Sequence, residues 1–150
     1  MDADFDVDRF SRVFAREVPD AIIYADAEGR IRFWNKGAER IFGFLESETV
    51  GQKLDIIIPE HLRKRHWDGF MRTMQTGKTR YGAGDVLEVP ALRKDGKRIS
   101  VEFSMLPFHD ENGSMIGIAV VLRDVTERYN AMKALREQLD VFSSRGSSWH

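Results

Sequence analysis

Residues 84–125 read GDVLEVPALRKDGKRISVEFSMLPFHDENGSMIGIAVVLRDV, and this stretch decides the fold class. Apolar and polar residues alternate through it, as they do in strands that bury one face. Two dipeptides that favour tight hairpin turns, Asp95-Gly96 and Asn112-Gly113, divide the stretch into three segments. The pattern therefore predicts three antiparallel strands joined by two hairpins.

The sequence before this meander predicts a further hairpin. Residues 21–26 and 30–34 are apolar runs on either side of Glu28-Gly29. In the second run, Ile31 and Phe33 alternate with arginines, which is typical of a half-buried strand. We therefore expect two strands at 21–26 and 30–34.

Helix signals fill the region between the hairpin and the meander. Asn35 is a good cap for a helix that Gly43 ends, and Ser47 is the expected cap of a short helical turn. Pro59 marks the start of a longer helix that continues to Gly77. The predicted order is two strands, a helical insert and three strands.

Amphipathic patterns at both ends predict terminal helices. Phe10, Val13 and Phe14 recur at helical spacing behind an acidic first turn. Near the C-terminus, apolar residues take coiled-coil positions: Val125, Met132 and Leu139 seven apart, with Leu135 and Phe142 interleaved. Arg128 interrupts that seam. We expect an N-terminal cap helix and a coiled-coil-like C-terminal helix.

Composition limits the function classes. The 150 residues, 42% of them apolar, suffice for one domain, and a formal net charge of −1 gives no general attraction for nucleic acid or anionic lipid. The absence of cysteine excludes disulfides, thiolate metal sites and photochemistry through a cysteinyl adduct. No signal peptide or apolar run of membrane-spanning length is present, so we expect a soluble, cytoplasmic protein.

Catalytic motifs are missing from the sequence. It contains no HExxH, no phosphate-cradling glycine loop and no Ser/His/Asp arrangement at a familiar spacing. We therefore expect a binding domain and not an enzyme.

Several separated motifs, in this order, resemble those of the PAS sensor family over about residues 18–128. They are DAIIYADAEGRIRFWNKGAERIFGF at 20–44, the glycine of TVGQ at 49–52, ALRKDGKRISVEFS at 91–104 and IGIAVVLRDVTER at 116–128. The resemblance implies an α+β PAS fold, in which a five-stranded antiparallel sheet and its helical insert enclose a ligand pocket. It also implies that DVTER couples the sheet to the C-terminal helix.

The resemblance suggests a division of the chain into four parts. We expect an N-terminal cap helix at 1–17, a PAS sensor domain at 18–125 and a signalling and dimerisation helix at 126–142. Residues 143–150 have the composition of a flexible tail or a cloning remnant.

Within the family, residues 59–85 look most like the haem-binding PAS sensors of the FixL and Dos kinds. In those proteins a histidine on the long helix ligates the haem iron, and the matching motif places that ligand at His66. The position of an arginine that contacts a haem propionate in the FixL kind falls on Arg72. The resemblance thus implies haem b held by His66.

Helix geometry separates the two histidines of this stretch. His61 and His66 are five residues apart, about 140° around a helix, so they do not form a two-histidine metal site. His66 lies above Phe70 and Met74 in an apolar stripe, while Gly69 leaves room for a flat macrocycle. The alternative is that His66 is a partly buried structural histidine bonded to a backbone carbonyl.

The distal side departs from the family pattern. Residues 81–86, YGAGDV, contain no arginine or methionine, and the corresponding positions fall on Gly84, Asp85 and Val86. We include Tyr81, Gly84 and Asp85 among the candidate cofactor-binding residues. An ionised Asp85 accepts hydrogen bonds but donates none, so any distal chemistry is expected to differ from that of an arginine.

These features lead to one expected function and two alternatives. We expect a PAS sensor that binds haem b through His66, responds to a diatomic gas (O2, CO or NO) or to redox state, and signals through its C-terminal helix. We also expect a homodimer formed through the N- and C-terminal helices. The alternatives are a haem-free PAS dimerisation or interaction module, and a PAS domain that binds flavin or another small ligand.

Overall fold

Five antiparallel strands form one sheet in the computed structural model of the chain, which describes residues 4–79, 81–82 and 84–147. The strands are β1 (Ala21–Asp26), β2 (Ile31–Trp34), β3 (Leu87–Leu92), β4 (Arg98–His109) and β5 (Met115–Asp124). Their order across the sheet is β2-β1-β5-β4-β3. The expected α+β architecture with a five-stranded antiparallel sheet is confirmed.

Five α-helices accompany the sheet in the described ranges. They are α1 (Val7–Glu17), α2 (Lys36–Phe42), α3 (Glu46–Thr49), α4 (Arg63–Thr76) and α5 (Thr126–Ser147). Two 3-10 turns, Leu54–Ile57 and Glu60–Leu62, lie between α3 and α4. None of the helices described here combines the length and apolar character needed to cross a bilayer.

The two hairpins of the meander form where the sequence predicts them. β3 pairs with β4 across Asp95-Gly96, and β4 pairs with β5 across Asn112-Gly113. Both glycines adopt φ of +83°, a left-handed conformation that glycine takes without steric strain. In each turn an aspartate side chain accepts a backbone N–H two residues later: Asp95 Oδ1 from Lys97 and Asp110 Oδ1 from Asn112, both at 2.9 Å.

The core lies between the inner face of the sheet and the helical insert. Trp34 and Phe42 are fully buried and their ring centroids are 5.5 Å apart. Ile23, Ile31 and Val101 complete the most buried group. Burial of each such large side chain stabilises the fold by roughly 1.5–3 kcal/mol.

Asn35 connects the N-terminal helix to this core. Its Oδ1 accepts the backbone N–H groups of Ile22 and Ala38, each at 2.9 Å, and so caps α2 as predicted. Its Nδ2 donates to the carbonyl oxygens of Ala15 and Asp20, also at 2.9 Å. One buried side chain therefore ties together the end of α1, the start of β1 and the start of α2.

Two helix starts differ from the predictions. Ser47 lies inside α3 and does not cap it: the N–H of Leu45, the residue before the helix, donates to Glu48 Oε1 at 2.8 Å, and the Glu46 N–H donates to Glu39 Oε2 at 2.8 Å. Pro59 starts only a 3-10 turn, closed by the Leu62 N–H on the Pro59 carbonyl at 2.9 Å. The long helix begins four residues later, at Arg63.

The C-terminal helix is longer than predicted. We expected it to end at residue 142 and a flexible tail to follow from 143, but α5 continues to Ser147. No proline or glycine occurs between Phe142 and Ser144 to end the helix at that point. The last three predicted tail residues, 148–150, lie outside the described residues.

Candidate cofactor site

Helix α4 lies over the inner face of the sheet near β5. Phe70 is buried against Met115 and Ile118, and Trp67 and Met74 pack around it from the same helix. Residues spaced three and four apart share one helix face, which is why these α4 side chains meet. We call the group of Phe70, Met115, Ile118 and their α4 neighbours the α4 cluster.

His66 stands at the edge of the α4 cluster with an unsatisfied nitrogen. Its ring centroid is 4.8 Å from that of Trp67, edge to face, and 6.1 Å from that of Phe70. Its Nδ1 is buried and has no hydrogen-bond partner in the part of the chain that the structure describes. A buried nitrogen of this kind costs about 1–3 kcal/mol unless a partner or ligand satisfies it.

Burial keeps the His66 imidazole neutral. Desolvation lowers the pKa of His66 below its ordinary value of 6.5, and the negative charge of Asp55 opposes this shift only in part. A neutral imidazole keeps a nitrogen lone pair, which is what a metal ligand requires.

His61 occupies a different environment, although the predicted 140° separation on one α-helix does not apply, since α4 begins only at Arg63. It is exposed in the 3-10 turn before α4, and its Nε2 lies 3.5 Å from the Arg98 guanidinium. A neighbouring cation does not favour binding of a second positive charge there. The two histidines therefore have separate surroundings.

The structure gathers some of the predicted site residues and leaves others at the surface. Met74 joins the α4 cluster, and a Cβ added at Gly69 would meet nothing within 4 Å, so the helix surface is open there. Arg72 is exposed, and it lies on the same helix as His66.

The loop before β3 holds the remaining candidates. Tyr81 is 37% exposed, and Gly84 and Asp85 are exposed. The Asp85 carboxylate accepts the Gly82 N–H at 2.8 Å, so it closes a local turn. The predicted distal residues therefore lie on the surface loop, and Asp85 already has a backbone partner.

Neither Trp67 nor Asp55 was among the candidate site residues predicted from the sequence. The Trp67 Nε1–H donates to Asp55 Oδ1 at 2.5 Å. A signal for Asp55 was present, because it is the one acid in the apolar run LDIII at 54–58. A polar residue in such a run is expected to need a partner.

A bare metal ion lacks a suitable set of ligands in the described ranges. No three histidine, cysteine, aspartate or glutamate residues lie close enough there to hold one. Haem iron differs, because the porphyrin supplies four nitrogens and the protein needs to supply only an axial ligand.

A five-stranded antiparallel sheet with a helical insert over its inner face defines a class of small α+β ligand-binding and signalling domains. Residues 15–130 match the sequence model of the family described as PAS fold. The chain belongs to the PAS family.

Three curated relatives differ in what is known of them. A protein of Azorhizobium caulinodans, itself uncharacterised, is 37% identical over 117 residues, which is 77% of this chain and 16% of that one. The sensor protein FixL of Bradyrhizobium diazoefficiens is 30% identical over 84% of this chain and 24% of its own. The oxygen sensor protein DosP of Escherichia coli is 31% identical over 50% of this chain and 9% of its own. The chain spans less than a quarter of the length of each relative.

Solved structures agree on the fold. The PAS domain of a Colwellia psychrerythraea protein superimposes with a TM-score of 0.69 at 26% identity, covering 81% of this chain and 99% of that one. A flavin-containing light-oxygen-voltage domain has a TM-score of 0.60 at 14% identity, covering 91% of this chain and 97% of that one. At that identity the second likeness concerns the fold alone.

Proposed function

We propose that this chain is a PAS sensor domain that binds haem b through His66 and responds to a diatomic gas or to redox state. The observation that carries the proposal is the buried Nδ1 of a neutral His66, which lacks a partner among the described residues. A neutral imidazole among aromatic side chains suits an iron ligand, because water and protons compete weakly for it.

The residues around His66 fit a flat apolar macrocycle on one side. Phe70 and Met74 supply apolar surface, and the open space at Gly69 lets a ring approach the helix. Arg72, exposed on the same helix, is the proposed cation for a propionate, and Tyr81, Gly84 and Asp85 are the proposed residues of the facing loop. Bound haem would supply an iron atom able to take a diatomic gas.

Similarity to named sensors supports the same function. DosP is named an oxygen sensor and FixL a sensor protein, and both align with this chain at 30–31% identity. Since the chain covers only small parts of those proteins, the proposal concerns this domain. The residues that face the bound gas would determine which gas binds. At these positions, in the loop before β3, the chain differs from the family pattern.

Haem titration of the purified protein tests the proposal. We expect a Soret band that saturates at one haem per chain, and we expect His66→Ala to abolish that saturable band. His61→Ala is the matched control, because it removes an exposed histidine five residues earlier and leaves the α4 cluster intact. A wild type without a Soret band, or an unchanged band in His66→Ala, refutes the role of His66.

The terminal helices suggest how a signal leaves the domain. Apolar residues of α1 and α5 are exposed: Phe10 by 52%, Phe14 by 54%, Met132 by 49% and Leu135 by 51%. We propose that a second copy of the chain covers these surfaces, since amphipathic helices are commonly buried by their own copies. A change at His66 would then reach the dimer through the sheet and α5. The cytoplasm is the proposed compartment.

One observation favours the alternative of a haem-free module. Phe70 packs directly on Met115 and Ile118, so protein side chains already fill part of the space between α4 and the sheet. Absorption spectra of denatured protein, together with the haem titration, distinguish the candidates: a released flavin identifies a flavin domain, and no chromophore with no titration identifies the interaction module.

A further inference from the structure

Trp67 fastens the first turns of α4 to two segments that are distant in the sequence. Its indole N–H donates to Asp55 in the 3-10 turn Leu54–Ile57, 12 residues earlier. Its six-membered ring lies against Gly29 in the β1–β2 turn, where a Cβ would come within 2.2 Å of Cη2. Trp67 is therefore fixed both by a directional hydrogen bond and by close packing.

The two anchoring segments are themselves joined. The Leu54 N–H donates to the Gly29 carbonyl at 3.2 Å, and Arg30 forms a β-bridge with Lys53. The Lys53 ammonium lies 5.5 Å from the centroid of the Trp67 ring, within the range of a cation–π contact. The indole thus meets a small framework built from the β1–β2 turn and the segment before α4.

His66 precedes Trp67 on the same helical turn, and their rings touch edge to face at 4.8 Å. Successive α-helical residues are about 100° apart around the axis, so fixing the direction of Trp67 also fixes the direction of His66. His66 has no hydrogen bond at its own buried Nδ1 within the described residues. Among the described residues, the aromatic rings of Trp67 and Phe70 are therefore what orients its ring.

We infer that Trp67 is the positioning residue for His66, and that the Asp55 carboxylate holds Trp67 in place. A packing role alone would need the indole ring but would not need its N–H to be paired. The positioning role needs the hydrogen bond. A variant that loses the acceptor at residue 55 should therefore differ from one that keeps it if Trp67 is a positioning residue, and should not differ if Trp67 only packs.

Two substitutions at one position make that separation. Asp55→Ala removes the acceptor, whereas Asp55→Asn keeps an amide oxygen that accepts the indole N–H and removes the charge. Any effect of charge on His66 is common to both variants. Asp68→Ala is the matched control, since it removes an exposed carboxylate one residue after Trp67 that pairs with Lys64 at 3.4 Å and makes no contact with the Trp67 N–H.

The first readout uses the protein without haem. In proton–nitrogen NMR spectra we expect the Trp67 indole signal and the His66 ring signals to move in Asp55→Ala, because the ring current of Trp67 changes at His66. In Asp55→Asn and Asp68→Ala the His66 signals should stay close to wild type. His66 signals that are unchanged in Asp55→Ala, or shifted equally in Asp55→Ala and Asp55→Asn, overturn the inference.

The second readout rests on the proposed function. Partners that orient a metal-binding histidine typically contribute about 10–100-fold to metal affinity, so Asp55→Ala and Trp67→Phe should each weaken haem binding by about that factor. The double variant should bind haem no more weakly than Trp67→Phe alone, since the hydrogen bond that Asp55→Ala removes is already lost in Trp67→Phe. Asp55→Asn should bind like wild type, and equal losses in both Asp55 variants contradict the inference.

The two readouts distinguish a failure of the proposed haem binding from a failure of the positioning role. If wild-type protein binds no haem, the proposed function fails, while the NMR comparison still decides whether Asp55 orients His66 through Trp67. If wild type binds haem and Asp55→Ala binds it equally well, the positioning role fails and His66 is unaffected as the proposed ligand.

Discussion

Asn35 is 1% exposed and serves groups from three elements, so its side chain has more effect on stability than its size suggests. Its oxygen accepts two N–H groups, and its nitrogen donates to the carbonyl oxygens of Ala15 in α1 and of Asp20 directly before β1. The amide is needed because one end must accept and the other must donate.

Asn35→Ala should therefore destabilise the protein by about 3 kcal/mol, since it removes a helix cap and leaves buried backbone groups unpaired. Urea unfolding followed by circular dichroism measures the change. Asn35→Asp should also destabilise, because a carboxylate oxygen would face the carbonyls of Ala15 and Asp20.

Asp6→Ala is the control for a cap without these additional bonds. Asp6 caps α1 by accepting the Asp8 N–H at 3.0 Å on an exposed surface. Its loss should lower the free energy of unfolding by about 0.5–1 kcal/mol. Equal effects of Asn35→Ala and Asp6→Ala would show that the buried bonds of Asn35 contribute nothing beyond capping.

Local geometry was enough to relate His66 to Phe70 and Met74, because all three lie on α4 and the helical period relates residues only a few positions apart. His61 was assigned to the same helix but lies in the 3-10 turn before it. Local geometry was not enough to find the Asp55–Trp67 bond. That bond depends on how a 3-10 turn docks against α4, and no periodic pattern within either segment specifies such docking. The surface positions of Tyr81 and Asp85 likewise follow from a loop, where sequence periodicity is absent.

At the scale of elements, the junction between β4, β5 and α5 fixes the direction of the last helix. The Val125 N–H donates to the Ser100 carbonyl at 2.8 Å, and the Ser100 N–H donates to Thr126 Oγ1 at 3.0 Å. Arg128 pairs with Glu102 on β4 and lies 3.8 Å from Glu88 on β3. The arginine that interrupts the apolar seam thus bonds to the sheet.

Glu88 and Glu102 are directly opposite each other on neighbouring strands, a placement that is unfavourable for like charges. Arg128 compensates for both, and these contacts hold the pKa of its guanidinium above the ordinary value, with the Glu102 hydrogen bond as the largest cause. We expect Arg128→Gln to speed amide hydrogen exchange in the first turn of α5 and at the β3–β4 edge.

Arg136→Gln provides the comparison on the same helix, because Arg136 is exposed and lies beyond the anchored turn. It should leave exchange in the first turn unchanged. Equal exchange rates in Arg128→Gln and wild type would contradict the view that Arg128 fixes the helix to the sheet.

Sequence patterns predicted the strands and their hairpin turns well, because turn chemistry and alternation are local properties. Helix ends were predicted less well. Pro59 is compatible with the first turn of an α-helix and also with a 3-10 turn, so its presence alone does not locate Arg63 as the first residue of α4. The end of α5 was predicted too early for a similar reason: serines have a modest helix propensity, but they do not prevent a helix from continuing past residue 142.

At the scale of the whole molecule, both terminal helices leave large apolar side chains exposed, among them Phe10, Phe14, Leu135 and Leu139. No residue of α1 is buried, although Phe10 and Phe14 stack at 5.6 Å between ring centroids. Beyond its first turn α5 is exposed through Ser144. The proposed dimer gives both surfaces a partner.

Charge at the centre of either apolar surface should therefore weaken self-association. We expect Phe10→Glu and Leu135→Glu each to shift the protein toward monomer in sedimentation velocity, while Lys133→Glu, on the same helix as Leu135, has a smaller effect. A wild type that sediments as a monomer across the accessible concentration range, or variants that associate as strongly as wild type, would contradict the proposed dimer.

Because α5 is anchored at one end, a small tilt at that end would produce a large displacement at the other. A helix of 22 residues is about 33 Å long, and the bonds that join it to the sheet in the described residues come from its first turn. A tilt of about 10° at that base would displace the far end by about 6 Å, which exceeds one helical pitch. Sub-ångström adjustments in β4 or β5 would thereby be magnified into a movement as large as a whole turn, and the length of the helix would set the size of that movement.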